Sequence, residues 1–230
     1  VYYYPHILSW LHHWTSLTGL ALDIRCPSAD ILTKLNRSLT CLTKLRFLVV
    51  NVECQPGKLD LVGLNKLESL EVNADHLELS CLATLNLKHL KISFSEASSS
   101  QPFPHLTSLI ALEVSSEANT DITELFAALH HLPELRQLRL VHANIKSDWM
   151  WHLAEIMPSR LQELVLKDLP ADMYSSPDIL DATLFSLPVY LHKFDTDLPI
   201  WNAPHFVNWV NSWSGWFRKS PIVDRHQPKD

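Results

Sequence analysis

Glycine is scarce in this chain, with only four in 230 residues, at 19, 57, 63 and 215. No G-x-G-x-x-G or Walker-type loop can be assembled from them, so a nucleotide cradled by backbone amides is not expected. A basic excess is also missing. The formal net charge is -6 and the pI about 6.1, which removes the electrostatic reason to expect nucleic acid or an anionic membrane as a partner. No apolar run approaches the roughly eighteen residues needed to span a bilayer. Four cysteines, Cys26, Cys41, Cys54 and Cys81, are far apart and form no C-x-x-C. That sparseness predicts reduced, mostly buried thiols and an intracellular protein, cytoplasmic or nuclear, rather than a disulfide scaffold. The opening VYYYPHILSW lacks the basic start and small-residue cleavage site of a secretory signal. It also lacks an initiator Met, which fits a fragment or a processed form.

Signatures of catalysis are sparse as well. There is no G-x-S-x-G, and no spacing of Ser, His and Asp singles out a triad. The pairs His12–His13 and His130–His131 invite a metal reading, but no H-E-x-x-H or regular Cys/His spacing accompanies them. Adjacent histidines on a helix point to different sides, so surface histidines are expected. No cofactor, metal or catalytic residue is assigned.

What the chain has is leucine, regularly spaced. Leu64–Val72 reads LNKLESLEV, Leu106–Val114 reads LTSLIALEV, and Leu42–Val50 reads LTKLRFLVV. Aligned on the second leucine of L-x-x-L-x-[hydrophobic], the anchors are Leu20, Leu48, Leu70, Leu90, Leu112, Leu138 and Leu164, with a degenerate eighth at Phe194. The steps between them are 28, 22, 20, 22, 26, 26 and 30 residues. In L-x-L the apolar residues alternate, so both point to one face of a short strand. The leucine three positions earlier enters from the preceding loop and packs beneath. One such unit cannot bury its own face, but stacked neighbours can.

This period and motif resemble the leucine-rich repeat. The resemblance implies an α/β solenoid, or horseshoe. Its concave side would be a parallel sheet of about eight short strands, with helices on the convex side of the longer repeats. Helix signals sit in the long steps: Ser28 before ADILTKLNRSL, Asp121 with Glu124 in DITELFAALHHL, Ser147 before DWMWHLAEIM, and Pro177 opening PDILDATLF. The short steps between 51 and 110 leave room for no more than a turn of helix. The long steps, clearest over Leu132–Leu166, look like the ribonuclease-inhibitor-like and F-box-associated branch. The family often places Asn or Cys three residues after the second strand residue. Here those positions hold Arg25, Glu53, Asp75, Ser95, Glu117, Ala143 and Leu169.

The resulting organisation is an N-terminal helix or partial repeat over 1–14, the array over 15–197, an aromatic capping helix over 198–217 and a tail over 218–230. At the start, Ile7, Leu8, Leu11 and Trp14 share one helical face. Near the end, Phe206, Trp209, Val210, Trp213 and Phe217 share another, opposite Asn208, Asn211, Ser212 and Ser214. That second helix suits closure of the open core end. A partner-binding element and a membrane-surface helix are the alternatives. SEASSSQP, Ser95–Pro102, reads as a flexible loop.

The repeat register also fixes what faces outward. The residue between the two inward strand positions must face the concave solvent side. Down the array these are Ala21, Val49, Glu71, Lys91, Glu113, Arg139, Val165 and Asp195. The neighbouring column includes Gly19, Phe47, Ser69, His89, Ala111, Gln137, Glu163 and Lys193. The middle four charges alternate in sign. They read either as a self-neutralising solvated face or as a recognition face with Phe47 and Val49 as its apolar anchor. By resemblance, the chain is a non-catalytic protein-recognition module, a monomer or a member of a hetero-complex. Its most specific form would be the substrate-binding repeat region of an F-box-type ubiquitin-ligase adaptor. A ribonuclease-inhibitor-like inhibitor or GTPase-regulator relative is the alternative. An enzyme using the array only as scaffold is the reading of another class. Another protein is the expected partner, contacted through Phe47, Val49, Glu71, Lys91, Glu113 and Arg139.

Overall fold

The computed structural model describes residues 8, 10–25, 29–53, 59–74, 79–94, 106–116, 128–142, 157–168 and 191–196. Eight strands run in chain order through one sheet: β1 (Gly19–Arg25), β2 (Phe47–Glu53), β3 (Ser69–Ala74), β4 (His89–Phe94), β5 (Ala111–Ser116), β6 (Gln137–Val141), β7 (Glu163–Lys167) and β8 (Lys193–Thr196). Every neighbouring pair is parallel. The register has no stagger: Leu20, Leu48, Leu70, Leu90, Leu112, Leu138, Leu164 and Phe194 stand side by side across all eight strands. This is the leucine-rich-repeat solenoid that the spacing implied, and even the degenerate 191–196 segment takes its place.

Two backbone devices explain why the repeat is written this way. The first sets the three-residue leucine spacing. Leu42 N–H donates to the Leu39 carbonyl and Leu45 N–H to that of Leu42, each at 2.9 Å. The same chain of tight turns joins Leu61, Leu64 and Leu67, and again Leu129, Leu132 and Leu135. Such i→i+3 turns place every third side chain on one side, and these nine leucines are buried. The second device locks the register. The Thr18 carbonyl accepts from both Arg46 N–H and Phe47 N–H, the Arg46 carbonyl from Glu68 and Ser69, and the Glu68 carbonyl from Lys88 and His89. The fork recurs at Lys88, Ile110, Arg136 and Gln162. A slip of one residue would break each fork and turn the leucines outward.

The core is one continuous column. Leu48, Leu70, Leu90, Leu112, Leu138 and Leu164 are each at most 2% exposed, with Val50, Val72, Ile92, Val114, Leu140 and Leu166 beside them. Helix α1 (Ala29–Leu39) covers the first long step. Leu32, Leu35 and Leu39 are buried, while Asp30 and Lys34 form an i,i+4 pair at 2.8 Å on the outer side. The shorter step before β4 holds only a 3₁₀ turn, Leu79–Leu82. Of the helix expected from Asp121 only the end is described, with Ala128 and Leu129 helical; the helices expected from Ser147 and Pro177, the 95–102 loop, and the aromatic helix and tail over 198–230 lie outside the described residues.

At the β1 end, Leu8 and Leu11 are buried, but Trp14 is 45% exposed rather than packed with them. Among the described residues no repeat precedes β1, and Leu17, Leu20 and Leu22 are only partly buried for the same reason. Ser38 ties this end to α1: its Oγ lies 2.9 Å from the carbonyls of both Leu8 and Lys34. Cys41 and Cys81 are free thiols. Cys81 is buried, but Cys41 is exposed because it sits in the outward-facing turn after α1, with Sγ 3.7 Å from the Arg37 carbonyl.

Candidate functional site on the concave face

Alternation along each strand sends the residue between two core positions to the open face. Because the register is unstaggered, those residues form straight columns. Glu71, Lys91, Glu113 and Arg139 are direct neighbours on β3, β4, β5 and β6. Lys91 Nζ lies 3.0 Å from Glu71 Oε1 and 3.6 Å from Glu113 Oε1, and Arg139 Nε lies 3.5 Å from Glu113 Oε2. The four charges are one continuous ion-paired row. The hydrogen bond that Lys91 donates to Glu71 holds its ammonium above the usual lysine value, partial burial opposes the rise, and Glu113 and the charge of Glu71 add to it. Lys91 is therefore a fixed cation at neutral pH, not an available base or nucleophile.

Beside this row the second column carries small residues, Ser69 and Ala111, on either side of His89. The surface dips there into an open depression of about 210 Å³, bounded by the ion-paired row and Gln137. Towards β1 the face becomes apolar. Phe47 is 52% exposed and Val49 39%, with the exposed Gly19 and Ala21 alongside on β1. The Arg46 guanidinium lies 5.9 Å from the centre of the Phe47 ring, a cation–π contact that orients it. The six residues assigned from the sequence thus form one surface, with the apolar anchor next to the charge row.

Three features of this face depart from the sequence reading or lie beyond it. Val165, assigned to the same outward column, is fully buried. It is nevertheless absent from the core cluster that holds Leu164 and Leu166. A rim of charges also escaped notice. Glu68 accepts from Arg46 Nη2 at 2.8 Å and from Lys88 Nζ at 3.3 Å. These residues each precede a strand, at equivalent repeat positions, so the alternation could have been read from the alignment. The Arg46 hydrogen bond is the main reason that the Glu68 carboxyl is held below its usual value, with Lys88 adding to it against some burial. Finally, Asn51 Nδ2 donates to Asp23 Oδ1 at 3.2 Å, while Asn51 Oδ1 is buried without a hydrogen-bond partner among the described residues.

The histidine pairs are exposed, as expected, in turns. The rings of His12 and His13 lie 3.8 Å apart, centre to centre, and those of His130 and His131 3.6 Å. The rings are tilted by 43° and 47° rather than stacked, and they come close because each pair sits in the turn after a helical end, at the same position of its repeat. Among the described residues, no group of three His, Cys, Asp or Glu side chains could hold a metal ion. Nor is any helix there long and apolar enough to cross a membrane.

Neither a protein-family profile nor a curated protein sequence matches the chain. Among solved structures, an internalin (inlF) from Listeria monocytogenes str. 4b F2365 is similar over 85% of this chain and 67% of that one, at 17% identity and a TM-score of 0.40. The fold assignment rests on the strand order and register of the chain itself, and these make it a leucine-rich-repeat solenoid.

Proposed function

We propose that this solenoid is a non-catalytic recognition module that binds another protein on its concave face, acting as a monomer or within a hetero-complex. The observation that carries the reading is the juxtaposition of Phe47 and Val49, both exposed, with the ion-paired row Glu71–Lys91–Glu113–Arg139. Large exposed apolar side chains gain most from burial at an interface. The neighbouring row sets orientation, because a partner must match its alternating charges or leave ions unpaired. Every charge in the row already has an opposite partner, which supports a binding face over a reacting centre.

The finer reading is the substrate-binding repeat region of an F-box-type ubiquitin-ligase adaptor, with a ribonuclease-inhibitor-like inhibitor or GTPase regulator as the alternative. Its support is the 26- to 30-residue steps, long enough for convex helices like α1. The free thiols Cys41 and Cys81 fit the reducing cytoplasm or nucleus such proteins work in.

The test is affinity capture from cell extract with wild type, Phe47→Ala/Val49→Ser and Glu113→Lys/Arg139→Glu, each first shown to fold by circular dichroism. Partners lost with both variants support the concave face. A partner retained equally by all three places the binding site elsewhere.

A further inference from the structure

Lys44 and Lys66 hold equivalent positions in adjacent repeats. Each is the third residue of a tight turn leading into a strand: Leu45 N–H donates to the Leu42 carbonyl, and Leu67 N–H to that of Leu64. The unstaggered register therefore sets the two lysines in neighbouring rows, with backbones about 4.8 Å apart. Both are exposed, and among the described residues neither has an ion pair or a side-chain hydrogen bond. The carboxylate on this edge is already taken. Glu68 Oε1 accepts from Arg46 Nε at 3.2 Å and Nη2 at 2.8 Å, and Oε2 from Lys88 Nζ at 3.3 Å. Four cations, Lys44, Arg46, Lys66 and Lys88, thus share the edge with one carboxylate, on a chain whose net charge is -6. Like charges side by side repel. The neighbouring row Glu71–Lys91–Glu113–Arg139 avoids this by alternating in sign, and the edge does not.

We propose that this edge takes an acidic segment of the protein partner, with Asp or Glu side chains on Lys44 and Lys66 and an apolar residue on Phe47. The inference rests on the recognition reading and adds the partner's chemistry to it. An incoming carboxylate gives the two lysines the counter-charge that the chain does not supply. Phe47 follows Arg46 directly and is 52% exposed, so charge and apolar contact are offered together. From β2 to β4 the edge spans two strand gaps, about 10 Å. Extended chain rises about 3.3 Å per residue, so about three residues cover it. A long polyanion such as a nucleic acid suits the face less well, because phosphates beyond this edge would meet Glu71 and Glu113.

Fluorescence anisotropy at low salt tests this with labelled probes and the full chain. The probes are an eight-residue Gly/Ser peptide carrying one Phe followed by three Glu, its Gln and Lys counterparts, and a strand of eight thymidines. The Glu peptide should bind about tenfold tighter than the Gln peptide, from two- to threefold per exposed pair. That preference should shrink as salt is raised. Lys44→Glu/Lys66→Glu, first shown to fold by circular dichroism, should abolish it. Lys44→Gln/Lys66→Gln, which only removes charge, should cut it to about threefold. Lys34→Glu, on the outer side of α1, should leave it unchanged. Equal binding of the Glu and Gln peptides overturns the proposal, as does a preference that survives both Lys44/Lys66 variants. Tighter binding of the thymidine strand, lost with the same variants, overturns it in favour of nucleic acid. If the Glu and Gln peptides bind equally and both weaken in Phe47→Ala/Val49→Ser, this inference fails while the recognition reading stands. If no peptide binds at millimolar concentration, this inference fails and capture from extract alone decides the recognition reading.

Discussion

Leu112 and Glu113 are consecutive on β5 and share no environment. Leu112 is 1% exposed between Leu90 and Leu138, whereas the Glu113 carboxylate reaches Lys91 on one side and Arg139 on the other. Leu112→Ala should cost about 2–5 kcal/mol, through lost burial and the cavity left behind. Glu113→Ala should cost no more than about 1 kcal/mol, since partly exposed ion pairs contribute little. Urea denaturation of both variants reads the difference. Equal losses would mean that the inward and outward faces have been exchanged.

The charge row predicts a reversal pattern. Glu113→Lys alone places three cations side by side at Lys91, 113 and Arg139. Adding Arg139→Glu restores an opposite neighbour on one side. The single variant should be less stable by about 1 kcal/mol, and the double variant should regain part of that loss. The gap between them should narrow as salt is raised, because exposed charges are screened. A salt-independent gap would point to a packing change instead.

Acid stability should depend on Glu68. Arg46 and Lys88 hold its folded-state pKa below the usual value. Its contribution is therefore complete above the ordinary glutamate range and is lost as pH falls through the lowered folded value. Glu68→Gln should flatten the acid limb of a stability–pH curve and leave the neutral-to-basic limb almost unchanged. Lys91 behaves in the opposite sense. Its raised pKa makes its contribution complete below the ordinary lysine range and lost as pH rises through the folded value, so Lys91→Met should flatten only the alkaline limb.

Ser38 is the one buried polar side chain among the described residues. Its hydroxyl bridges the Leu8 and Lys34 carbonyls. Ser38→Ala should lower stability by about 1 kcal/mol, the net worth of one such hydrogen bond. Hydrogen exchange should show the loss concentrated at Leu8–Leu11 and in α1. A loss spread evenly over β1–β8 would contradict a local tie.

Gly63 has φ +96 in the turn before β3. A Cβ there would meet nothing closer than the Thr40 carbonyl oxygen at 3.9 Å. The cost of Gly63→Ala should therefore be backbone strain alone, about 1–2 kcal/mol. Asn, which tolerates left-handed backbone, should cost less. A larger loss for Asn than for Ala would indicate crowding.

The strands were legible because L-x-L fixes direction while the three-residue turns fix spacing, so one alignment yields every neighbour. The same alignment made Glu71, Lys91, Glu113 and Arg139 readable as a row. It could not foresee the burial of Val165, which its strand register alone places on the open face. Trp14 shares helical spacing with Leu8 and Leu11 but lies past the end of the helix, so the spacing did not carry its side chain to their face. The histidine pairs were legible as surface residues, but not the closeness of their rings, because they lie just past a helix end where the helical spacing rule stops.

The forked carbonyls from Thr18 to Gln162 also have a mechanical consequence. They point along the stacking direction, so tension applied between the first and last repeats loads them one row at a time instead of all together. Such a stack should yield like a zipper, releasing successive lengths of 20 to 30 residues at modest and similar forces, and should rewind row by row when the tension is removed. The steps of 20, 28 and 30 residues would each give a distinct extension, marking where along the stack failure has reached in a single-molecule pulling trace.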